Sequence, residues 1–138
     1  MSKMNKNYQE REMILFNRAY DKEKYTGGCC WFNDLHLDKL SLLIDLHYAN
    51  PKDCQNYAPS IMEIKEFLQE MELRGFIGWT AHGYAVSPDR DDYRISIEGV
   101  EFRRSFPMTE EERVLFENVF GGADEFVYGD FYARAWFD

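Results

Sequence analysis

The segment from Pro59 to Phe102 constrains the fold more than any other part of this chain. Its first half, PSIMEIKEFLQEMELRGFI, has apolar residues at the spacing of one helix face, behind a capping-box pattern at Ser60–Glu63 and before a stop at Gly75. Its second half has two alternating stretches, Tyr84–Val86 and Tyr93–Ile97, on either side of the polar loop SPDRDD. The pattern predicts a helix followed by an antiparallel hairpin.

The flanking segments predict three further helices and two tight turns. The helices are predicted at residues 8–20, at Leu35–Tyr48 after an N-cap at Asn33 or Asp34, and from Thr109 to a stop at Gly121-Gly122, with Glu112 in the capping-box position. The turns are predicted at His82-Gly83 and at Glu98-Gly99. The aromatic residues after Gly122 suit either a helix or a strand.

A helix ending in RGFI, followed by a hairpin whose second strand reads YRISIEG, resembles the recognition helix and wing of winged helix domains over residues 59–102. The resemblance implies a helix that enters the major groove and a wing that touches the DNA backbone or minor groove. We therefore expect one α+β domain, 1–138, that is mostly helical. It has a winged-helix-like core at about 33–106, a small antiparallel β-hairpin, and a C-terminal segment, 107–138, that closes the domain with helices.

The charge of the chain opposes the DNA-binding function that this resemblance implies. The sequence has 25 acidic and 16 basic residues and a net charge of −9. Non-specific affinity for nucleic acid comes mainly from Lys and Arg that neutralise phosphates, and the predicted helix after Pro59 carries four glutamates. The candidate nucleic-acid-binding residues are Lys65, Arg90, Arg94, Arg103 and Arg104.

The C-terminal segment combines aromatic and acidic residues. Residues 108–138 contain eight acids and two bases. Aromatic anchors with a negative rim are typical of a surface that binds a basic partner, but the same residues also suit core packing or a homodimer contact. The candidate partner-binding residues are Phe126, Tyr128, Phe131, Tyr132, Trp136 and Phe137. A sharper alternative is a nucleic-acid mimic that occupies the DNA site of another protein.

No motif predicts a catalytic residue, a metal site or a cofactor. The three cysteines, Cys29, Cys30 and Cys54, are predicted to be free thiols, because three is an odd number and no export signal precedes them. The histidines show no spacing typical of metal ligands. A hydrolase or redox enzyme that uses Cys30 or Cys54 is the least favoured class, because no base is placed beside either thiol by the sequence.

These patterns predict a non-enzymatic module that acts through protein–protein contacts, with a protein partner or a second copy of itself. The alternatives are a DNA-binding transcriptional regulator and an acidic nucleic-acid mimic. The polar N-terminus has no apolar signal core, and no stretch of the sequence approaches the length of a membrane span. We therefore expect a cytoplasmic location and no membrane partner.

Overall fold

The computed structural model describes residues 4–138, in which one antiparallel sheet packs against α-helices. The helices are α1 (Tyr8–Phe16), α2 (Leu37–Asp45), α3 (Ile61–Leu73) and α4 (Glu110–Phe120), with a short 3₁₀ turn at Lys22–Lys24. The strands are β1 (Cys29–Leu35), β2 (Trp79–Val86), β3 (Ile95–Arg103), β4 (Glu125–Tyr128) and β5 (Tyr132–Trp136). Their order in the sheet is β1-β2-β3-β5-β4, so β5 lies between β3 and the edge strand β4.

The prediction of a mostly helical domain is wrong. The chain is 33% helical and 25% strand, and the sheet has five strands rather than a small hairpin. The segment after α4 forms the hairpin β4–β5 and does not close the domain with helices. Burial along β5 alternates, with Ala133 and Ala135 buried and the residues between them at least partly exposed. This two-residue period suits a strand, since successive side chains of a strand point to opposite faces.

The predicted starts of α3 and α4 are confirmed, because both helices begin with a complete capping box. In α3 the Glu63 N–H donates to Ser60 Oγ at 3.1 Å, and the Ser60 N–H donates to Glu63 Oε1 at 3.0 Å. In α4 the Glu112 N–H donates to Thr109 Oγ1 at 3.1 Å, and the Thr109 N–H donates to Glu112 Oε1 at 2.8 Å. These bonds satisfy amides that the first helical turn leaves without partners.

The predicted first helix is too long. It was expected to reach residue 20 but ends at Phe16, because Asn17 adopts a left-handed conformation with φ of 55°. Asn enters that region more easily than most residues, and it commonly ends a helix there.

The predicted second helix begins too early. Leu35 belongs to β1, and α2 begins at Leu37 after His36 as its N-cap, not after Asn33 or Asp34. Strand β1 was not predicted from the sequence. Cys30 and Phe32 are buried with exposed Trp31 between them, and this short alternation is easily confused with the start of a helix.

Both predicted glycine turns are wrong, since His82-Gly83 lies inside β2 and Glu98-Gly99 lies inside β3. The two strands pair through both sites, with a bulge between His82 and Gly83. A Cβ added to Gly83 would lie 2.0 Å from the carbonyl oxygen of Ser96, and one added to Gly99 would lie 1.8 Å from that of Ala135. These glycines therefore allow close approach of neighbouring strands rather than a reversal of the chain.

The helices cover one face of the sheet, and the core lies between them. Its centre is an aromatic cluster in which the Trp79 ring of β2 lies 5.2 Å from Phe67 of α3, 5.1 Å from Phe116 of α4 and 5.0 Å from Phe102 of β3. Full burial of each such ring stabilises the fold by about 1.5–3 kcal/mol. The opposite face of the sheet carries Trp31, His82 and the polar residues described below.

Candidate functional site

Two of the candidate nucleic-acid-binding arginines share one carboxylate in the β2–β3 loop. Arg90 donates from Nε and Nη2 to the two oxygens of Asp92, both at 2.8 Å, and Arg94 Nη1 donates to Asp92 Oδ2 at 3.1 Å. Hydrogen bonding from Arg90 holds the pKa of Asp92 below its usual value, so the carboxylate stays charged. This ion pairing weakens the attraction of both guanidinium groups for phosphate.

Arg104 has a structural position. Its side chain is 6% exposed, and it donates from Nη2 to Glu112 Oε1 at 2.6 Å and from Nη1 to Glu112 Oε2 at 2.9 Å. The same guanidinium also donates to the carbonyl groups of Ile77, Phe106 and Pro107. The guanidinium is therefore engaged inside the protein and is not available for a nucleic-acid contact.

Lys65 and Arg103 are the two candidates that, within residues 4–138, take part in no ion pair. Lys65 lies half-buried on α3, among the glutamates of that helix. Arg103 is exposed at the end of β3, where its guanidinium lies 5.4 Å from the centre of the Tyr132 ring. Arg94 precedes β3 and Arg103 ends it, so the two ends of the candidate set are about 30 Å apart. The five residues do not form one basic patch.

The aromatic residues of the C-terminal segment divide between the core and the surface. Phe126 stacks on Phe116 with ring centres 4.7 Å apart, and Phe137 is 3% exposed. Tyr128, Phe131 and Tyr132 are exposed at the tip of the β4–β5 hairpin. We call these three residues the hairpin tip. Trp136, the sixth candidate, lies half-buried on the face of the sheet that the helices leave open.

A groove of about 300 Å³ runs between α3 and α4. It is lined by Glu63, Glu66, Phe67, Glu70, Met71, Leu115 and Val119. We call it the α3–α4 groove. Its three glutamates are three and four residues apart, so they form one row along α3. Phe67 and Met71 are already buried beneath the row, so the accessible apolar floor of the groove is formed by Leu115, which is half-buried, and Val119, which is 38% exposed.

The cations next to the α3–α4 groove are each held between two carboxylates. Arg74 Nε donates to Glu70 Oε1 at 2.6 Å, and its Nη1 also donates to Glu111 of α4. Arg113 Nη1 donates to Glu117 Oε2 at 2.8 Å, and the same guanidinium pairs with Glu110. Exposed ion pairs of this kind contribute little to stability. Because each of the two arginines is shared by two carboxylates, the surface of both helices stays negative.

A second cleft, of about 240 Å³, lies on the face of the sheet that carries no helix. It is lined by Trp31, Phe32, Asn33, His82, Glu98, Glu101 and Arg134. We call it the sheet cleft. This cleft was not predicted from the sequence, because His82 and Glu98 were expected to lie in turns. One feature of the sequence indicates the strand that passes through Glu98. Ile95 and Ile97 alternate inward, and the alternation resumes at Val100 and Phe102 after one extra residue, which is typical of a bulged strand.

His82 is neutral in the sheet cleft. It is 6% exposed, and its Nε2–H donates to the carbonyl of Ala135 at 3.1 Å. Burial, followed by the nearby Arg134 charge, lowers the pKa of His82 to about 4. The ring reaches Ala135 across Gly99, which has no side chain to block it, and a Cβ there would lie 3.2 Å from the imidazole.

Glu98 differs from an exposed glutamate because its surroundings raise its pKa. It is 8% exposed and lines the sheet cleft. Burial raises the pKa of Glu98, while the indole N–H of Trp136, the charge of Arg134 and the indole N–H of Trp31 act to lower it. Among the residues described, none forms an ion pair with this carboxylate, and its side-chain donors are the two indole N–H groups.

The cysteines are free and differ in exposure. Cys29 is half-buried, Cys30 is buried and Cys54 is exposed. Burial raises the pKa of the Cys30 thiol, although Arg18 Nη2 lies 3.6 Å from its sulfur. A raised pKa reduces the thiolate fraction, which is the nucleophilic form. Within the described part of the chain, no three His, Cys, Asp or Glu side chains are grouped so that they could hold a metal ion.

No helix between residues 4 and 138 has both the length and the apolar composition needed to cross a bilayer. Comparison of the chain with protein-family models, with curated proteins and with solved structures gives no match.

Proposed function

We propose that this protein is a small, cytoplasmic, non-enzymatic binding module whose partner is a basic protein segment held in the α3–α4 groove. Lys or Arg side chains of the partner lie against Glu63 and Glu66, since Glu70 already pairs with Arg74. Its apolar side chains lie against Leu115 and Val119. The observation that best supports this proposal is the row of carboxylates directly beside an accessible apolar floor.

The two parts of the groove have different roles in this proposal. The apolar floor supplies affinity by removing hydrocarbon surface from water, and the carboxylates select a basic partner and speed its approach. The row from Glu63 to Glu70 spans about 10 Å of helix, which matches about two turns of a helical partner. Amphipathic helices commonly bind grooves of this kind.

The net charge of −9 supports a basic partner over nucleic acid. Arg90, Arg94 and Arg104 already pair with carboxylates of the same chain, so a phosphate would have to displace them. The acidic nucleic-acid mimic is a narrower form of the same proposal, in which the basic segment is the DNA-binding surface of another protein. In that form duplex DNA competes with this protein for its partner.

A synthetic amphipathic helix with one Leu face and one Lys/Arg face is a suitable probe for the groove. Titration calorimetry measures its affinity, and NMR shifts of the Leu115 and Val119 methyl groups report where it binds. We expect Glu66→Lys to weaken binding about tenfold or more, because the reversed charge repels the peptide. Glu23→Lys, in the exposed 3₁₀ turn, is the matched control and should leave the affinity unchanged.

Equal affinity of the wild type and Glu66→Lys for this peptide would overturn the proposal, as would methyl shifts confined to residues outside the groove. The DNA-binding alternative predicts that random duplex binds at low salt and dissociates as salt rises. It also predicts that Lys65→Ala and Arg103→Ala weaken that binding while Glu66→Lys does not.

A second copy of the chain is an alternative partner, and the hairpin tip favours it. Tyr128 and Phe131 are about half exposed, and β4 is an edge strand with unpaired backbone groups. Sedimentation velocity tests this alternative: a dimer that dissociates on Phe131→Asp supports it, and a monomer over the whole concentration range excludes it.

A further inference from the structure

Glu98 lines the sheet cleft without an ion-pair partner among the described residues, and the groove does not explain this feature. The residue is 8% exposed, and no cation within residues 4–138 pairs with it. Taking a charged carboxylate out of water costs several kcal/mol unless a counter-charge or hydrogen bonds replace the water. A ligand that brings a positive charge would supply what this carboxylate lacks.

The charged neighbours of Glu98 are already engaged with one another. Arg134 Nη1 donates to Glu125 Oε1 at 2.6 Å, its Nε lies 3.8 Å from Glu101 Oε1, and its guanidinium stacks over Trp136 at 5.8 Å. The Nε2–H of His82 is used by the Ala135 carbonyl. The cleft therefore has a net negative charge, and the Nε2–H of His82 is not available to an anion in this arrangement.

An aromatic wall completes the cleft. Trp31 is 58% exposed, and its ring lies 5.8 Å from that of Tyr84, which holds it beside the opening. The face of an indole ring attracts cations, and its hydrocarbon surface packs well on aliphatic chains. The volume, about 240 Å³, is below the roughly 300 Å³ at which sites for drug-sized ligands begin. It suits an aliphatic chain with one charged end.

We propose that the sheet cleft binds the ammonium or guanidinium group of an aliphatic cation, with Glu98 as its counter-ion and Trp31 packed against its chain. The cation is either a free amine or the Lys or Arg side chain of a peptide, since both present the same head group. This site is on the opposite side of the sheet from the α3–α4 groove, and its occupation does not depend on the function proposed for that groove.

Agmatine and cadaverine are suitable free probes, and a Gly-Arg-Gly peptide with blocked ends represents the side-chain source. Tryptophan fluorescence and the NMR signal of the Trp31 indole N–H report binding, with calorimetry for the affinity. We expect both free cations to bind, and 1,5-pentanediol, which has the same chain without charge, to bind at least about tenfold more weakly. Tighter binding of the peptide than of agmatine would identify a protein ligand, and the reverse would identify a free amine.

Three substitutions test the residues named. Glu98→Gln keeps the shape of the side chain and should weaken agmatine about tenfold or more, because the charge-assisted bond is lost. Trp31→Ala should weaken it about threefold to fivefold, and Trp31→Phe should restore part of the loss. Glu117→Gln, on α4, is the control and should have no effect.

The proposal is overturned if neither free cation shifts the Trp31 signal at millimolar concentration. It is also overturned if Glu98→Gln binds agmatine as tightly as the wild type, or if butyrate binds more tightly than the cations.

Discussion

The N-terminus of α4 and the centre of the open sheet face each bury a glutamate, and the two glutamates have opposite surroundings. Glu112 accepts from the Arg104 guanidinium, from the Trp79 indole N–H at 2.9 Å and from the Thr109 N–H at 2.8 Å. Glu98 has indole donors but no cation partner within the described residues. Burial acts to raise the pKa of Glu112, but its hydrogen bonds from Arg104, Thr109 and Trp79 bring the pKa below the usual value, whereas the pKa of Glu98 is raised.

The difference shows that burial alone does not decide what a carboxylate does for the fold. At Glu112 four donors replace the lost water, so the charge ties the loop after β3 to the start of α4. Glu98 is also largely buried, but only indole N–H groups act on it as donors and no cation among the described residues pairs with it, so burial disfavours its charged form. We infer that the first site serves the structure and the second is kept for a ligand.

The largest loss of stability is expected from Glu112→Ala. It removes the partner of the buried Arg104 and should lower the free energy of unfolding by about 3–5 kcal/mol. Urea denaturation followed by circular dichroism measures the change. Glu63→Ala is a close control, because Glu63 holds the same capping-box position in α3 without a buried arginine, and its cost should be about 1 kcal/mol. Equal costs would mean that the Arg104 pair contributes nothing beyond the cap.

Gly99→Ala should be nearly as damaging. The new methyl group would meet the Ala135 carbonyl and the His82 ring, so β3 and β5 would have to separate, at a cost of about 3 kcal/mol. Thermal unfolding measures the loss. Gly122→Ala, at a position where no atom lies within 4 Å of the added Cβ, should unfold like the wild type. An undisturbed Gly99→Ala variant would contradict the pairing of these strands.

The neutral state of His82 gives a distinct dependence on pH. Because its pKa falls to about 4 on folding, the unfolded chain binds a proton that the folded protein does not, between pH 6.5 and about 4. Stability contributed by His82 is therefore lost on acidification across that window, by about 2–3 kcal/mol. Urea midpoints at several pH values, compared with those of His82→Gln, isolate this slope.

The charge of Glu98 also contributes to that pH slope. Glu98 acts in the opposite direction, because its raised pKa means that protonation on acidification favours the folded state. The comparison is best repeated in a Glu98→Gln background, and an unchanged slope in His82→Gln would show that the ring is not buried as a neutral group.

The smallest change in stability is expected from Glu98→Gln, and the test is whether the free energy of unfolding rises or falls. Replacing the unpartnered carboxylate by an amide should raise the free energy of unfolding by about 1 kcal/mol at neutral pH, and the gain should vanish at acid pH, where the wild-type carboxyl is protonated. Calorimetric melts at both pH values measure it. A clear loss of stability would mean that Glu98, like Glu112, serves the fold.

The sequence alone predicted the features of this protein that depend on short-range hydrogen bonds. The capping boxes at Ser60–Glu63 and Thr109–Glu112 were predicted correctly, because both partners of each bond lie within four residues of each other. The polar loop between β2 and β3 was also predicted, since Pro and charged residues interrupt both strands.

The strands that pair across long stretches of sequence were not predicted in full. β1 pairs with β2, with Cys29 opposite Val86, and β3 pairs with β5, with Gly99 opposite Trp136. The residues that neighbour a strand in the sequence do not indicate which distant strand pairs with it. The glycines of β2 and β3 were therefore predicted to lie in turns. The sheet cleft was missed for the same reason, because its lining residues come from four strands.

The sequence by itself determined where α3 and α4 begin, that the chain is acidic, and that α3 carries a row of glutamates beside an apolar face. The tertiary structure decided which charges are free: it placed Arg104 on Glu112, Arg134 on Glu125, and no cation on Glu98. The physical reason is that a helix cap needs only neighbours in the chain. The state of a buried charge depends instead on the groups that distant strands bring within about 3 Å of it.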